Sequence, residues 1–428
     1  MKFTKKYYNL GKNLLFPLCR SITGNGFLKS LKIIKNEFPS LKIQKVPSNT
    51  KVFDWNVPAE WNVSDAYVVD NFGKKIIDFK KNNLHLMGYS IPTNKTVSKA
   101  ELFSHICTLK NNKTAIPYTT SYYKKRWGFN ISYNDRKFFN KKYKKNDKFK
   151  VVIKSSLNKN GNLNYGELTI NGNSKEEILI STYLCHPSMA NNELSGPIVA
   201  MSLINYLKKK NLEKTIRFVF LPETIGSIVF INKNFDNLKK NVIGGYNLSC
   251  IGDERMHSCM FSKYKNSPSD EALIEAYKKL NIKYKVYSFL ERGSDERQYN
   301  SPGIDLPISS IFRSKYGTYP EYHTSLDNFD LVTPKGIEGG FKILKTSVDI
   351  LLKKKIPKNL IMCEPKMDKR KLYHTLSIKT NYKFQKNMHF LQYADGKNSL
   401  EKISKLTKID IKKVNKIYKN LKQIKLIN

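Results

Sequence analysis

Three side chains that can bind a metal ion follow predicted strands of this sequence. His186 and Glu193 lie on one loop, between the apolar run 178–180 and a helical pattern that begins at Pro197. His323 lies on a later polar loop that also follows an apolar strand. Two imidazoles and a carboxylate form a ligand set that zinc takes in hydrolases, with a further position open for water. The spacing therefore predicts one zinc ion held by His186, Glu193 and His323.

A fourth residue, Glu223, could supply the base that such a site needs. Hydrolysis of an amide requires a carboxylate that takes a proton from the attacking water and passes it to the leaving nitrogen. Glu223 comes directly after Pro222, where the predicted strand 216–221 ends. This strand should end at the same edge of the sheet as the strand before His186. Glu223 is therefore predicted to be the general base, and a salt bridge is the alternative role.

Further charged residues could support this site. Asp327, four residues after His323, is expected to accept the N–H of that imidazole, as metal-bound histidines usually require. Asp253 and Asp295, each close to an Arg, either bind the metal, orient a ligand or pair with that Arg. Arg20, in a Gly-rich turn, either holds a carboxylate or orients a side chain near the site. An Arg on the surface of a helix–helix turn fits the same residues equally well.

The elements that would position these residues predict an α/β fold. Strand candidates alternate with helical runs from about residue 150 to 355, a pattern typical of a doubly wound, mostly parallel sheet. The strand candidates are 149–153, 177–180, 216–221, 242–246, 285–289 and 307–311, and the helical runs are 197–209, 226–239, 268–280 and 334–354. Together with the helical residues 1–45, the segment 150–360 is predicted to form the catalytic domain.

Two further modules are predicted. Residues 46–149 consist of short alternating runs bounded by Pro, Asn and Gly, which indicates an inserted β-rich domain. This domain carries no cluster of His, Cys or carboxylates, and its aromatic, basic segment 122–129 is expected to be a solvated loop. Residues 365–428 contain three short helices with tight turns, typical of a winged-helix module. Its lysines would suit DNA phosphates, but docking to a partner or homo-oligomerisation is favoured, since Arg is absent from 401–428.

Composition limits the function classes. The chain has 428 residues, a formal net charge of +41 and 40% hydrophobic residues, which indicates folded domains with real cores. Most of the positive excess lies outside 180–330, and a Lys bias of this kind favours a compositional cause over a nucleic-acid surface. Six cysteines without a CxxC pair indicate reduced thiols in the cytoplasm. No signal peptide or membrane span is expected.

The same segments resemble a known family. His186, the run 192–196, Glu223, Asp295 and the run 323–327 are similar, in the same order, to the motif series of the M28-type zinc aminopeptidases. Other segments resemble bacterial aminopeptidase-like proteins associated with surface-polysaccharide loci, which combine a peptidase-like core, an inserted small β domain and a carboxy-terminal winged helix. These segments are Arg20–Gly24, Arg126–Phe129, Cys185–Asn191, Pro222–Gly226 and Ile251–Asp253.

The sequence departs from the two-metal members of the M28-type family at three positions. Asn192 stands where the resemblance implies an Asp that bridges both metals. Thr224 replaces a ligand carboxylate after the base, and Ser249 replaces a further Asp. These changes argue against a site with two metal ions and favour the single zinc held by His186, Glu193 and His323.

The first functional hypothesis is a mononuclear zinc aminopeptidase or related amide hydrolase that acts on a small peptide or amide. The alternative is a regulatory protein in which a degraded peptidase core senses a ligand and the carboxy-terminal module contacts DNA or a partner protein. Deacylation of an amino sugar is a third option, because it uses the same chemistry on another amide. The residues alone do not choose between a peptide and a sugar amide.

Overall fold

A computed structural model describes residues 2–370 and 382–428 of the chain. It confirms the predicted mixed α/β fold. A π-helical turn, Gly11–Leu15, follows the first helix, and single 3₁₀ turns lie at Asn83–His85, Phe289–Glu291 and Asp368–Arg370. The α-helices are α1 (Lys2–Leu10), α2 (Asn25–Glu37), α3 (Lys99–Ser104), α4 (Tyr133–Lys142), α5 (Ser195–Leu207), α6 (Ile225–Asn241), α7 (Pro268–Lys279), α8 (Glu296–Tyr299), α9 (Pro334–Lys353), α10 (Tyr382–Tyr393), α11 (Leu400–Thr407) and α12 (Ile411–Gln423).

The strands form one large sheet and smaller ones. They are β1 (Lys42–Pro47), β2 (Lys51–Val52), β3 (Trp55–Asn56), β4 (Glu60–Val69), β5 (Lys75–Asp78), β6 (Thr93–Ser98), β7 (Ile106–Cys107), β8 (Phe129–Asn130), β9 (Lys148–Asn158), β10 (Asn162–Ile170), β11 (Ser174–Tyr183), β12 (Lys214–Leu221), β13 (Val242–Leu248), β14 (Ser258–Met260), β15 (Lys285–Tyr287) and β16 (Ile308–Phe312).

The large sheet has eight strands in the order β1-β10-β12-β11-β13-β16-β14-β15. Its centre is parallel, because β11 pairs in parallel with β12 and β13, and β13 pairs in parallel with β16. Strands β1 and β10 add an antiparallel edge that the sequence did not predict. The central strand β11 is buried from Ile178 to Tyr183, as expected of a strand covered on both faces. Its carboxyl end leads into the loop that carries His186.

Helices cover the large sheet in separate groups. Helices α1, α5, α7 and α9 pack on one another, whereas α2 and α6 pack against β10. Arg217 on β12 ties three neighbouring strands together by ion pairs with Glu167 on β10 and Glu177 on β11, at 2.6 and 2.8 Å. Among the residues that the structure describes, no helix is both long and apolar enough to cross a lipid bilayer.

The small β-rich sheet is inserted between β1 and β10. Its four strands have the order β5-β4-β9-β6, and β9 pairs with both β4 and β6. The strand candidate 149–153, which we expected in the large sheet, therefore belongs to the small one. The chain leaves the large sheet after Pro47 and rejoins it at Asn162, later than the predicted boundary at 149. The error arose because the apolar pattern of β9 does not reveal its pairing partner.

The carboxy-terminal helices α10, α11 and α12 surround a separate apolar core that includes Phe390, Ile403 and Leu421. Short bridges join Lys358 to Asp395 and Asn359 to Ile427, next to these helices. The buried Lys354 lies 3.5 Å from Glu271 on α7 and 3.8 Å from Glu401 on α11. These ion pairs connect the carboxy-terminal helices to the helices that cover the large sheet.

A close approach at Gly196 brings the start of α5 onto the sheet. A Cβ at this position would lie 2.3 Å from the hydroxyl oxygen of Thr182 and 2.5 Å from the carbonyl oxygen of Leu248. These two residues belong to neighbouring strands, β11 and β13. Only glycine allows α5 to begin this close to both strand ends, and the loop with Glu193 directly precedes it.

We expect Gly196→Ala to lower the free energy of unfolding by about 1–3 kcal/mol, because the added methyl group overpacks a rigid contact with backbone atoms. Chemical denaturation would measure the change. Gly88→Ala is the matched control, since a Cβ there comes no closer to any atom than 3.3 Å, to the hydroxyl of Thr120. Equal stability of the two variants would show that the close approach at Gly196 is unimportant.

Candidate active site

The loop after β11 is folded onto the side chain of Glu193. One carboxylate oxygen of Glu193 accepts the backbone N–H of His186 at 2.8 Å, and the other oxygen contacts Nδ1 of the same residue. Both residues are buried. Glu193 thus fixes the orientation of the His186 ring, and Nε2 is the ring nitrogen left for a ligand. The negative charge of Glu193 also raises the pKa of His186, against the effect of burial, which lowers it.

Arg20 binds the backbone of the same loop. Its guanidinium donates to the carbonyl oxygens of His186, at 2.9 Å, and Leu15. Arg20 is only 1% exposed, so the alternative of a surface Arg is wrong. Burial lowers the pKa of Arg20 to about 10, and the negative charge of Glu193 opposes this shift. Arg20 therefore fixes the backbone of His186, a role that differs from the predicted contact with a carboxylate or a side chain.

Glu223 faces His186 from the end of β12. One of its carboxylate oxygens lies 3.7 Å from Nε2 of His186, and its backbone N–H donates to the Cys185 sulfur at 3.3 Å. Burial raises the pKa of Glu223; the charge of His186 lowers it and that of Glu193 raises it further. A partly buried carboxylate with a raised pKa beside an imidazole fits the predicted role of a base.

Asp295 fixes the backbone next to Glu223. One of its carboxylate oxygens accepts the backbone N–H of Thr224 at 2.7 Å and the hydroxyl of Ser227 at 2.9 Å. Thr224 has a φ of 64°, a left-handed conformation that a β-branched residue rarely adopts. The other oxygen of Asp295 is buried without a hydrogen-bond partner. Burial, followed by the charge of Glu223, raises the pKa of Asp295 to about 8.

His323 lies beside His186, with ring centroids 5.2 Å apart. The ring of His323 stacks on Tyr322 at 3.9 Å, and its backbone has a φ of 55°. Its Nε2 is buried and has no hydrogen-bond partner. Burial and the nearby His186 lower the pKa of His323 to about 3, so the neutral imidazole can use this nitrogen to bind a metal ion.

Asp327 does not support His323 as the sequence suggested. Its carboxylate instead accepts the hydroxyl of Tyr319 at 2.9 Å and three successive backbone N–H groups, those of Ala190, Asn191 and Asn192. Asp327 therefore holds the loop between His186 and Glu193 in shape. The sequence does not indicate that the carboxylate of Asp327 binds the loop of residues 190–192 rather than the nearby His323.

Asn192 lies within this loop and is also buried. Its side-chain amide donates to the hydroxyl of Tyr183 at 3.1 Å, whereas its side-chain oxygen is buried without a partner. An orphaned buried oxygen is costly unless a ligand or water satisfies it.

Asp253 was predicted to be a metal ligand, and the structure gives it a different role. Its carboxylate accepts four hydrogen bonds, from the backbone of Arg255, the backbone and hydroxyl of Ser314, and the side chain of Asn191, at 2.8–3.1 Å. These donors occupy both oxygens. Asp253 therefore joins the loops after β13 and β16 to the loop that carries Glu193.

The remaining groups fit a bound metal ion. Among the described residues, one set of three potential ligand atoms lies within 4.8 Å of one another, from Cys185, His186 and Glu193. The partnerless Nε2 of His323 lies on a ring that approaches His186. The structure thus adds the buried thiol of Cys185, which the sequence reasoning did not single out, to the predicted His and Glu residues. The buried carboxylate of Glu193 and the mostly buried one of Glu223 lie beside His186 and could balance the charge of a cation.

The sequence reasoning also missed Tyr118 of the inserted domain. Its ring meets His186 edge-on, with centroids 4.5 Å apart, and His323 at 5.3 Å. The inserted domain therefore contributes to the site, although it has no cluster of His, Cys or carboxylates. The pair of tyrosines at 118 and 122 was the only available signal, and tyrosines are common in β-rich domains.

We expect Asp295→Asn to flatten the pH dependence of stability in the metal-free protein. The pKa of Asp295 rises from 3.8 to about 8 on folding, so between these values the folded protein holds a proton that the unfolded chain has lost. The free energy of unfolding of the parent protein should therefore fall as pH rises through this window. Asn keeps an oxygen for Thr224 and Ser227 but cannot ionise.

Denaturation of chelator-treated protein at a series of pH values would measure this effect. Asp236→Asn, at an exposed position on α6, is the control and should keep the parent slope. The explanation fails if the slope of Asp295→Asn equals that of the parent.

Comparisons with known proteins agree with this architecture. Residues 8–354 match a family described as a domain of unknown function (DUF4910), and residues 355–428 match a winged helix-turn-helix family. A relative from Clostridium acetobutylicum is 41% identical over 412 residues, which cover 95% of this chain and 92% of the relative. It is named "Putative polysaccharide biosynthesis protein with aminopeptidase-like domain".

Solved structures show the same fold. A crystal structure titled as a "putative peptidase" from Clostridium acetobutylicum is 39% identical, with a TM-score of 0.79, and covers 100% of this chain and 96% of its own. BSAP, a zinc aminopeptidase from Bacillus subtilis, has a TM-score of 0.59 at 14% identity, covering 81% of this chain and 93% of its own. At that identity, only the fold is shared. The chain therefore belongs to the DUF4910 family, an aminopeptidase-like α/β fold, and carries a winged helix-turn-helix at its carboxyl end.

Proposed function

We propose that this protein is a zinc-dependent amide hydrolase of the aminopeptidase type, with one zinc ion per chain. The observation that carries the proposal is the pairing of two imidazoles, 5.2 Å apart, one of them with a buried and partnerless Nε2. They lie beside Glu193 and Glu223, at the carboxyl end of the central strands, where α/β sheets bind ligands.

His186 and His323 would hold the zinc through ring nitrogens, and Glu193 is the closest carboxylate to His186. When bound, zinc would polarise the amide carbonyl and lower the pKa of a water molecule. Glu193 contacts both the backbone and the ring of His186, so it also fixes the orientation of that imidazole. Such support by a carboxylate makes a histidine a better metal ligand.

Glu223 would act as the general base. Its raised pKa lets the carboxylate accept a proton from water and give it to the leaving nitrogen near neutral pH. Asp295 positions this residue through the backbone of Thr224, and Arg297 donates to the Thr224 hydroxyl at 2.7 Å. The strained backbone at Thr224 is thus held from two sides, which keeps Glu223 directed at His186.

The substrate is proposed to be a small amide. The folds of the neighbouring aminopeptidases favour a peptide, whereas the name of the Clostridium acetobutylicum relative favours the amide of an amino sugar. Both substrates require the same zinc, base and carbonyl-binding groups. The six cysteines are all free thiols, which supports the further proposal of a reducing, cytoplasmic environment.

We expect Glu223→Gln to lower kcat by about 10²–10⁴-fold, because the amide cannot accept the proton of the attacking water. The zinc content should stay at one ion per chain, since His186 and His323 are unchanged. Activity on a panel of peptide and N-acyl amino-sugar amides, together with elemental analysis, would measure both quantities.

Glu338→Gln, on the outer side of α9, is the control and should leave both quantities unchanged. If Glu223→Gln hydrolyses amides at the parent rate, Glu223 is not the base. If the parent protein neither binds zinc nor cleaves any amide, the proposal fails, and the alternative of a regulatory protein that senses a ligand is favoured.

A further inference from the structure

The inserted domain is joined to the loop of His323 by main-chain hydrogen bonds. The backbone N–H of Tyr118 donates to the carbonyl oxygen of His323 at 2.8 Å. The backbone N–H of Ser325 donates to the carbonyl oxygen of Ile116 at 2.9 Å. These two bonds form a short antiparallel contact, and they fix the position of Tyr118 relative to His323. The inserted domain is thus held in register with the site.

In this position the side chain of Tyr118 contacts the imidazoles of both His186 and His323. Its ring is tilted by 72° to the ring of His186 and by 79° to the ring of His323, so it meets each of them edge to face. Edge-to-face contacts are the favoured geometry for aromatic pairs. Tyr118 therefore forms a wall of the proposed metal site.

The hydroxyl of Tyr118 lies 2.7 Å from the hydroxyl of Tyr122, also from the inserted domain. No other hydrogen bond to either oxygen involves a residue that the structure describes. Two phenols carry two protons, and a single hydrogen bond between them uses one. Whichever tyrosine donates within the pair, the other keeps an O–H that is free to donate elsewhere.

Both phenols stay protonated at neutral pH. A tyrosine hydroxyl ordinarily loses its proton only near pH 10, well above neutrality. The free O–H is thus a neutral donor on a pair whose Tyr118 ring contacts both imidazoles.

We propose that the hydroxyl pair of Tyr118 and Tyr122 donates its free hydrogen bond to the acyl oxygen of the bound amide. This inference rests on the proposed amide hydrolysis. As the carbonyl carbon becomes tetrahedral, its oxygen gains negative charge, and a donor fixed in advance stabilises that charge. No proton is transferred, since the phenol keeps its O–H bond throughout. The inserted domain then takes part in catalysis.

The test replaces both hydroxyls and keeps both rings, in the double variant Tyr118→Phe/Tyr122→Phe of the full-length zinc protein. We expect kcat on the best amide substrate to fall by about 10²–10³-fold, the cost of losing one such donor. KM should change by less than about threefold, and the zinc content and the unfolding midpoint should match those of the parent. Tyr123→Phe is the control, because this neighbouring exposed tyrosine donates to the Asn56 carbonyl instead, at 3.2 Å.

The outcomes separate the two proposals. If the parent cleaves amides and the double variant keeps a kcat within about threefold of it, this inference is wrong and the hydrolase proposal stands. A loss of kcat that comes with loss of zinc or of stability would assign the tyrosines a purely structural role and would also overturn the inference. If the parent cleaves no amide, both proposals fall together.

Discussion

The structure depends on one electrostatic constraint, the burial of several ionisable side chains at the carboxyl edge of the large sheet. Glu193, Asp253, Asp295 and Asp327 are all 0% exposed. Removing a charged group from water costs several kcal/mol unless partners replace the lost hydration. Asp253 and Asp327 each have four hydrogen-bond donors, whereas an oxygen of Asp295 has none. Glu193 lies beside the His186 ring and in the field of the buried Arg20, and a bound cation would add a further positive partner for Glu193 and Glu223.

The surrounding elements can be understood as supports for this buried group. Gly196 brings α5 onto the ends of β11 and β13, directly after the loop that carries His186 and Glu193. Arg20 and Asp327 hold the two ends of the same loop through backbone atoms. The inserted domain adds Tyr118 beside both imidazoles, joined to His323 by a main-chain hydrogen bond. Side chains from distant parts of the chain thus meet because several independent contacts fix each loop.

The sequence predicted much of the fold. The central strands, the helices α5, α6, α7 and α9 and the carboxy-terminal helices appear near the predicted positions, because their hydrophobic periodicity is strong. The antiparallel strand β10 was missed, and β9 was assigned to the wrong sheet. Periodicity shows which residues are buried, but it does not show which strands pair, since pairing depends on contacts between segments far apart in the chain.

The candidate site was predictable in part for a similar reason. His186, Glu193, Glu223 and His323 lie on loops that follow strands of the large sheet, so the topology of a parallel sheet indicates that they meet. The directions of the side chains were not predictable. Asp327 accepts hydrogen bonds from the backbone of residues 190–192 instead of from His323, and Asp253 accepts hydrogen bonds from Ser314 and Asn191. Tyr118 lies in another domain, and only the three-dimensional contact between residues 116–118 and 323–325 reveals its position.

The central claim is that the two imidazoles share a single zinc ion. The most direct test is an X-ray structure of the full-length protein with anomalous data collected on both sides of the zinc absorption edge. We expect one anomalous peak, about 2.0–2.1 Å from a ring nitrogen of His186 and from a ring nitrogen of His323. Zinc-supplemented crystals with no peak between these rings, or with zinc bound only elsewhere, would contradict it.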